Sequence, residues 1–360
     1  RVPDPIADDQ IAETIEAEVV IVGAGIAGCC AAMAAAEAGL DAVVLQKHSE
    51  VFNYATGVAT YATKEQVAQG APDKYDVDEL ISDYMKNSTN LPDRRFIELW
   101  RDRSGSDFDW LCGHFTAEEI DPPAWDWTEP QPIMGMFDMI SAMPILARKA
   151  EDLGVRFRYS TPAVQLVREE GGRVTAVVAQ NEDGDYVKYE GTKAIVMATG
   201  DFSGDPDMMA KYCNAFADYV AESAGDYDAE FQFGGLMPGD GHKMGMWAGG
   251  VMQDGPLPNA LHPQVGSMFH GPFMFVNKEG KRYFNEANWV QAKSIQTMKQ
   301  TDHVGFSIFD KNFPTDNKDS LNHGGGMFWD SFRAYGTDYQ VAVESHTKSV
   351  ESGLEKVPDY

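Results

Sequence analysis

The chain has 360 residues and a formal net charge of −27, from 56 Asp plus Glu against 29 Lys plus Arg. That length suits two domains, and 43% hydrophobic residues can build a core, which argues against disorder. The deficit of basic side chains argues against a nucleic-acid backbone or an anionic membrane face as a partner, since either requires clustered Lys and Arg.

In chain order, residues 1–17 are polar and acidic and read as an N-terminal extension. Arg1 in place of Met, followed by Pro3-Asp4-Pro5, suits a processed start from which an export signal has been removed, so an extracytoplasmic location is expected ahead of a cytoplasmic one. Glu18-Val19-Val20-Ile21-Val22 reads as a strand buried on both faces, and is too short to span a bilayer. After Gly23-Ala24-Gly25-Ile26-Ala27-Gly28 come a helix over Cys29–Ala38, ended by Gly39, and a second strand over Asp41–Gln46.

Helical spacing of apolar residues predicts helices over Val77–Asn87, Arg94–Leu111 and Met139–Leu153. From Val155 the period becomes alternating. It predicts a meander of Ala163–Val167, Val174–Ala179 and Tyr186–Tyr189, then a separate buried strand Ala194–Ala198 that stops at Thr199-Gly200. After Gly255-Pro256 the composition shifts towards Phe, Met, Gly, His and Asn, which marks a second domain. Cys29, Cys30, Cys112 and Cys213 lack CxxC spacing, so no metal site is expected and all four read as small buried hydrophobes.

The Gly23–Gly28 segment matches GxGxxG, which is weak alone. Here it follows a strand, opens a helix, and precedes a second strand that ends 23 residues after Gly23. Gly23 permits the tight turn, Gly25 lets backbone approach a pyrophosphate, and Gly28 lets the helix pack closely, while the helix N-terminus offers free N–H groups to the anion. At the end of the second strand, where an acidic residue normally takes the ribose hydroxyls, stands Gln46. A neutral amide there costs about 1 kcal/mol of nucleotide binding relative to a charged partner.

These segments, together with Ala198-Thr199-Gly200-Asp201-Phe202, Gly239-Asp240-Gly241-His242-Lys243-Met244-Gly245 and Val276 through Glu286, resemble the fumarate reductase/succinate dehydrogenase flavoprotein family. The chain looks most like its enoate and urocanate reductases from anaerobic bacteria. The resemblance implies an α/β fold: a Rossmann-type FAD-binding domain with an inserted β-meander over 18–256, and an α+β capping domain over 257–360. It implies non-covalent FAD at Gly23, Gly25, Ala27 and Gly28, with Gln46 and Lys47 at the ribose end and the backbone of Val164 at the adenine. Ala198, Thr199 and Gly200 would lie along the cofactor, Thr56, Gly57 and Val58 beside the isoalloxazine, and Asp240 and Gly241 at a helix start near it.

Such reductases deliver hydride from the flavin to a C=C bond conjugated to a carbonyl or carboxylate, while an acid protonates the other carbon. Val290 occupies the position where the family implies a proton-donating Arg. His262, Arg282, Arg333 and Tyr335 are therefore the candidates for site chemistry, with Tyr283 and His323 behind them. Arg282 also has a structural reading, as a partner of Glu286. Aromatic residues such as Phe269, Phe273, Phe275 and Trp329 suit an apolar pocket, and so a substrate larger and less charged than fumarate.

The chain ends at Pro358-Asp359-Tyr360, before the segment with which relatives return to the flavin. A second chain or fragment, or a continuation beyond these residues, is expected to supply it. The expected activity is that of an FAD-dependent oxidoreductase acting on CH–CH groups, with a small unsaturated substrate and an external donor, either a cytochrome or a quinol-linked protein. The alternatives are a ketosteroid-dehydrogenase-like desaturase and a non-catalytic flavin electron-transfer subunit.

Overall fold

The apolar run before the glycine loop forms the middle of a six-stranded sheet. The computed structural model describes residues 2–53, 57–70, 76–87, 90, 92–125, 134–213, 237–253, 257, 273–286, 296–297 and 299–308. The chain divides into two compact units, one made of 1–56, 113–121 and 138–258, the other of 57–112, 122–137 and 259–360. This division cuts across the sequence-based boundary at 256, because residues 57–112 and 122–137 group with the second unit.

In the first unit, β1 (Ile11–Val22), α1 (Ile26–Glu37) and β2 (Ala42–Leu45) form the expected βαβ unit, and β1 pairs with β2 in parallel, Val20 opposite Val43 and Val22 opposite Leu45. Those four residues share one sheet face and one buried cluster with Val177, Ala179, Val187 and Tyr189. Ile21 and Val44 point the other way and are also fully buried, as strands covered on both faces require. Each such side chain contributes about 1.5–3 kcal/mol of burial.

Helix α1 is rich in Ala, which loses no side-chain entropy in a helix. It ends in a Schellman turn: Gly39 has φ +67°, its N–H bonds Ala36 O at 2.9 Å, and Leu40 N–H bonds Ala35 O at 3.0 Å. Helix α5 (Met139–Asp152) is capped by Asp138 through Ser141 N–H at 3.0 Å and packs against α1.

The sheet continues through β6 (Arg156–Arg158), β7 (Ala163–Arg168), β8 (Val174–Gln180) and β9 (Tyr186–Met197), in the spatial order β6-β2-β1-β9-β8-β7. Two expectations are corrected here. The predicted strands Tyr186–Tyr189 and Ala194–Ala198 are one strand, β9, which pairs antiparallel with β8 through its first half and parallel with β1 along its length. The join is a bulge opposite Ala17–Val19, where a Cβ on Gly191 would lie 2.6 Å from Ala194 O. Residues 11–17, assigned to an extension, are likewise the first half of β1, paired to residues 186–191. Helices α6 (Pro206–Tyr212) and α7 (Asp240–Trp247) complete this unit, and α7 packs on β7.

The second unit contains β3 (Gly57–Ala59), β4 (Ala124–Trp125) and β5 (Met134–Met136) in the order β3-β5-β4, with α2 (Lys64–Ala68), α3 (Val77–Asn87) and α4 (Arg94–Cys112). Helix α2 opens on a capping box between Thr63 and Gln66. Helix α4 crosses the 61–62 turn so closely that a Cβ on Gly105 would lie 2.2 Å from Tyr61 O. An antiparallel pair, β10 (Met274–Asn277) and β11 (Gly305–Ile308), closes the described part.

Cys29 and Cys213 are buried as expected, but Cys30 and Cys112 are only partly so. All four thiols are free, and burial pushes Cys29 up to about 12 and both Cys30 and Cys112 up to about 11. Among the described residues no cluster could hold a metal ion, and no helix is long and apolar enough to cross a membrane.

Candidate functional site

The carboxyl ends of β1, β2 and β9 leave a crevice where α1 begins, the usual place for a ligand in an open α/β sheet. A cavity of about 620 Å³ occupies it. The glycines there are held by steric necessity. Gly23 has φ +104°, its N–H bonds Leu45 O at 2.8 Å, and a Cβ on it would lie 2.2 Å from Ala198 O. A Cβ on Gly28 would lie 1.9 Å from Gly23 O, so the first turn of α1 closes onto the loop only with glycine at that position.

Gly25 is the N-cap of α1 and has no side chain to cap it, so no side chain competes for the N–H groups of the first turn. They are available to an anion. A Cβ on Gly25 would meet only Phe52 O, at 3.3 Å, a tight contact that the loop could relieve by a few tenths of an ångström, so this is the least crowded of the three loop glycines.

Gln46, 5% exposed, ends β2 in the cavity wall. Its backbone N–H bonds Arg158 O, its carbonyl accepts from Thr161 N–H, and its Nε2 donates to Glu50 O at 2.9 Å. With Nε2 so engaged, the atom the amide has left is an acceptor, Oε1. Beside it Lys47 Nζ lies 3.5 Å from Asp240 Oδ2, a half-exposed pair worth about 0–1 kcal/mol. His48 packs on Phe52 with ring centroids 5.1 Å apart. Burial, and then the charge of Lys47, hold its imidazole below the usual range.

Helix α7 forms the facing wall. Its N-cap, Gly239, has φ +69°, and a Cβ on Gly241 would lie 1.8 Å from Thr199 Oγ1, so the helix start is seated directly on the end of β9. Lys243 secures it by donating to Pro238 O at 2.8 Å and pairing with Asp205 at 2.5 Å. Asp205 caps α6 through Met208 N–H at 2.7 Å. Burial alone would raise its pKa, but Lys243 and that N–H outweigh it and the carboxyl is held low.

Gly23, Gly25, Ala27, Gln46 and Lys47 thus come together in one wall system with Ala198, Thr199, Gly200, Asp240 and Gly241. Gly28 stands behind the loop, shaping it. Val164 is not in the wall, whereas its neighbours Pro162 and Ala163 are. Gly57 and Val58 lie in β3 of the second unit, paired with Met136 and Gly135. Thr56, His262, His323, Val290, Arg333 and Tyr335 fall outside the described residues.

Arg282 is engaged in a structural pair: its guanidinium forks onto Glu286, with Nε–Oε1 at 2.9 Å and a second bond from Nη2 to Oε2. Glu286 is buried, and Arg282 holds its carboxyl below the usual range. Sequence reasoning passed over several residues of the wall, among them Asn53, Met237 and His242. His242 sat inside a quoted motif, but the packing that brings it to the wall depends on Phe202, 40 positions earlier in the chain.

The glycine cradle, the open helix N-terminus and the hydroxyl acceptor at the β2 end fit the pyrophosphate and ribose of a dinucleotide. The comparisons agree. A probable fumarate reductase of Shewanella frigidimarina is 27% identical over 311 residues, covering 81% of this chain and 50% of that protein. A vinyl phenol reductase of Lactiplantibacillus plantarum is 25% identical over 309 residues, covering 82% of this chain and 61% of that protein. The chain therefore spans about half to three-fifths of these relatives. In fold it is similar to the open conformation of a flavocytochrome c3 fumarate reductase, with a TM-score of 0.63 at 22% identity over 97% of this chain and 65% of the other. Residues 18–320 match the FAD binding domain family, and with the crevice at the switch point of its sheet, the chain belongs to that family.

Proposed function

We propose that the cavity holds non-covalent FAD and that the protein reduces a carbon–carbon double bond conjugated to a carbonyl or carboxylate. The observation that carries this reading is the cradle at Gly23, Gly25 and Gly28, in which two positions exclude any Cβ and the third caps a helix whose N-terminus no side chain occupies. Two relatives are named for fumarate and vinyl phenol, both of which contain a carbon–carbon double bond.

When bound, FAD supplies hydride chemistry. The first turn of α1 neutralises the pyrophosphate, Gln46 Oε1 accepts from a ribose hydroxyl, and the Thr199–Gly200 backbone lines the cavity at the β9 end. Proton delivery to the substrate is assigned to His262, Arg333 or Tyr335. Arg282 shapes the turn after β10 through Glu286. Reducing equivalents come from an external cytochrome or quinol-linked carrier, and residues 18–256 and 257–360 serve as cofactor and capping regions.

The test is anaerobic reoxidation of the dithionite-reduced protein by a panel of enoates and enones. The reading predicts that at least one member returns the oxidised flavin spectrum. Reoxidation by none would favour an electron-transfer subunit, and reduction of the oxidised flavin by a saturated ketosteroid would favour the desaturase.

A further inference from the structure

The segment Gly113–Asp121 is an excursion: the pieces on either side of it, 57–112 and 122–137, belong to the second unit, while it belongs to the first. It forms no helix or strand. Its backbone closes on itself, the N–H groups of Glu119 and Ile120 bonding Thr116 O at 3.0 and 3.1 Å, and Glu119 Oε2 accepts from Thr116 N–H at 2.9 Å. All of 113–121 is described, and within it Ile120 alone is buried. Few buried apolar contacts therefore hold the segment in place, which marks a region that opens at low cost.

The main hold on it is one side chain of α5. Lys149 Nζ donates to His114 O at 2.6 Å and to Glu119 Oε2 at 2.8 Å, and stands 5.7 Å from the centre of the Phe115 ring. A lysine ammonium carries three N–H donors and serves these sites together. Lys149 is itself on a firm element, since its helix neighbours Leu146, Ala147 and Ala150 are at most 1% exposed and α5 packs against α1. A lesser tie is His114 Nε2, 3.6 Å from Glu37 Oε1 at the end of α1.

We propose that residues 113–121 are a strap that opens separately from the rest of the first unit, with Lys149 as its latch. Because both flanking pieces continue into the second unit, the strap is where the first unit grips the chain between α4 and β4, and its opening frees that connection.

The test is hydrogen exchange by mass spectrometry on the full chain, for the unaltered protein and for K149M, K149R and E119Q. The readout is the hydrogen-bonded amides of the strap, those of Thr116, Glu119 and Ile120, against the amides of α1 and α5. The inference predicts strap exchange about five- to tenfold faster in K149M, about two- to fivefold faster in E119Q and within about twofold of the unaltered protein in K149R, with α1 and α5 unchanged in all three. Unchanged strap exchange in K149M would overturn it. Equal acceleration in the strap, α1 and α5 would do the same, since the segment would then open only with the whole unit. If K149M does not fold, E119Q decides, because it removes the charge from the same pair and leaves α5 intact; unchanged strap exchange there would then overturn the inference.

Discussion

At Gln46 the residue type and its surroundings point in different directions. A neutral amide where a carboxylate is usual suggests that restoring the acid would strengthen ribose binding by about 1 kcal/mol. In the structure, however, Nε2 holds Glu50 O at 2.9 Å inside a 5% exposed site. Gln46→Glu would replace that donor with a carboxylate oxygen facing a carbonyl. The expected outcome is a flavin-free protein destabilised by about 1–3 kcal/mol, read as a lower denaturation midpoint. A variant as stable as the parent would show that the Glu50 contact matters little. The site of Gln46 was legible from its distance to Gly23. Its partner was not, because Glu50 lies in an irregular loop with no periodic signal.

The helices and strands with strong periodicity, Val77–Asn87, Arg94 onward, Met139 onward and the meander, were readable because one face of each must be buried. Residues 11–17 were not, since Glu13 falls on the same face as Ile11, Ile15 and Ala17 and interrupts their alternation, and only pairing with β9 makes them a strand. Nor could the sequence show that β9 runs unbroken past Gly191, where glycine usually marks an end and here marks a bulge. The link between α6 and α7 belongs to the same scale. Asp205 caps one helix and pairs with Lys243 of the other, so Asp205→Ala is expected to cost roughly 1–3 kcal/mol and to weaken FAD binding by loosening the α7 wall. The carboxyl pKa is depressed in the folded state, so its contribution is fully present above the unfolded carboxylate range and is lost as pH falls through the folded value. Denaturation curves of parent and variant should therefore converge on acidification. A gap that persists under strongly acidic conditions would locate the effect elsewhere.

For the whole molecule, the charge of −27 marks a solvated acidic surface, and solubility should be poorest near the pI of about 4.5, where turbidity measurements across pH should peak. Parallel pairing of β1 with β2 was implied by the strand–glycine loop–helix order, whereas that of β1 with β9 appears only in the structure. The grouping of residues 57–112 with the second unit was not, because it depends on contacts distant in sequence. The central claim is that the crevice at the end of β1 holds FAD on the Gly23–Gly28 loop. Gly25 offers the sharpest test, since a Cβ there meets only Phe52 O, at 3.3 Å, which asks a few tenths of an ångström of the loop and no more, so Gly25→Val should fold yet fill the cradle. Titration of flavin-stripped parent and Gly25→Val with FAD, with circular dichroism confirming both folds, measures this directly. The account predicts one FAD per parent chain and binding at least about tenfold weaker in the variant, equivalent to about 1.4 kcal/mol. A parent that binds no FAD, or a folded variant that binds it equally well, would contradict the claim.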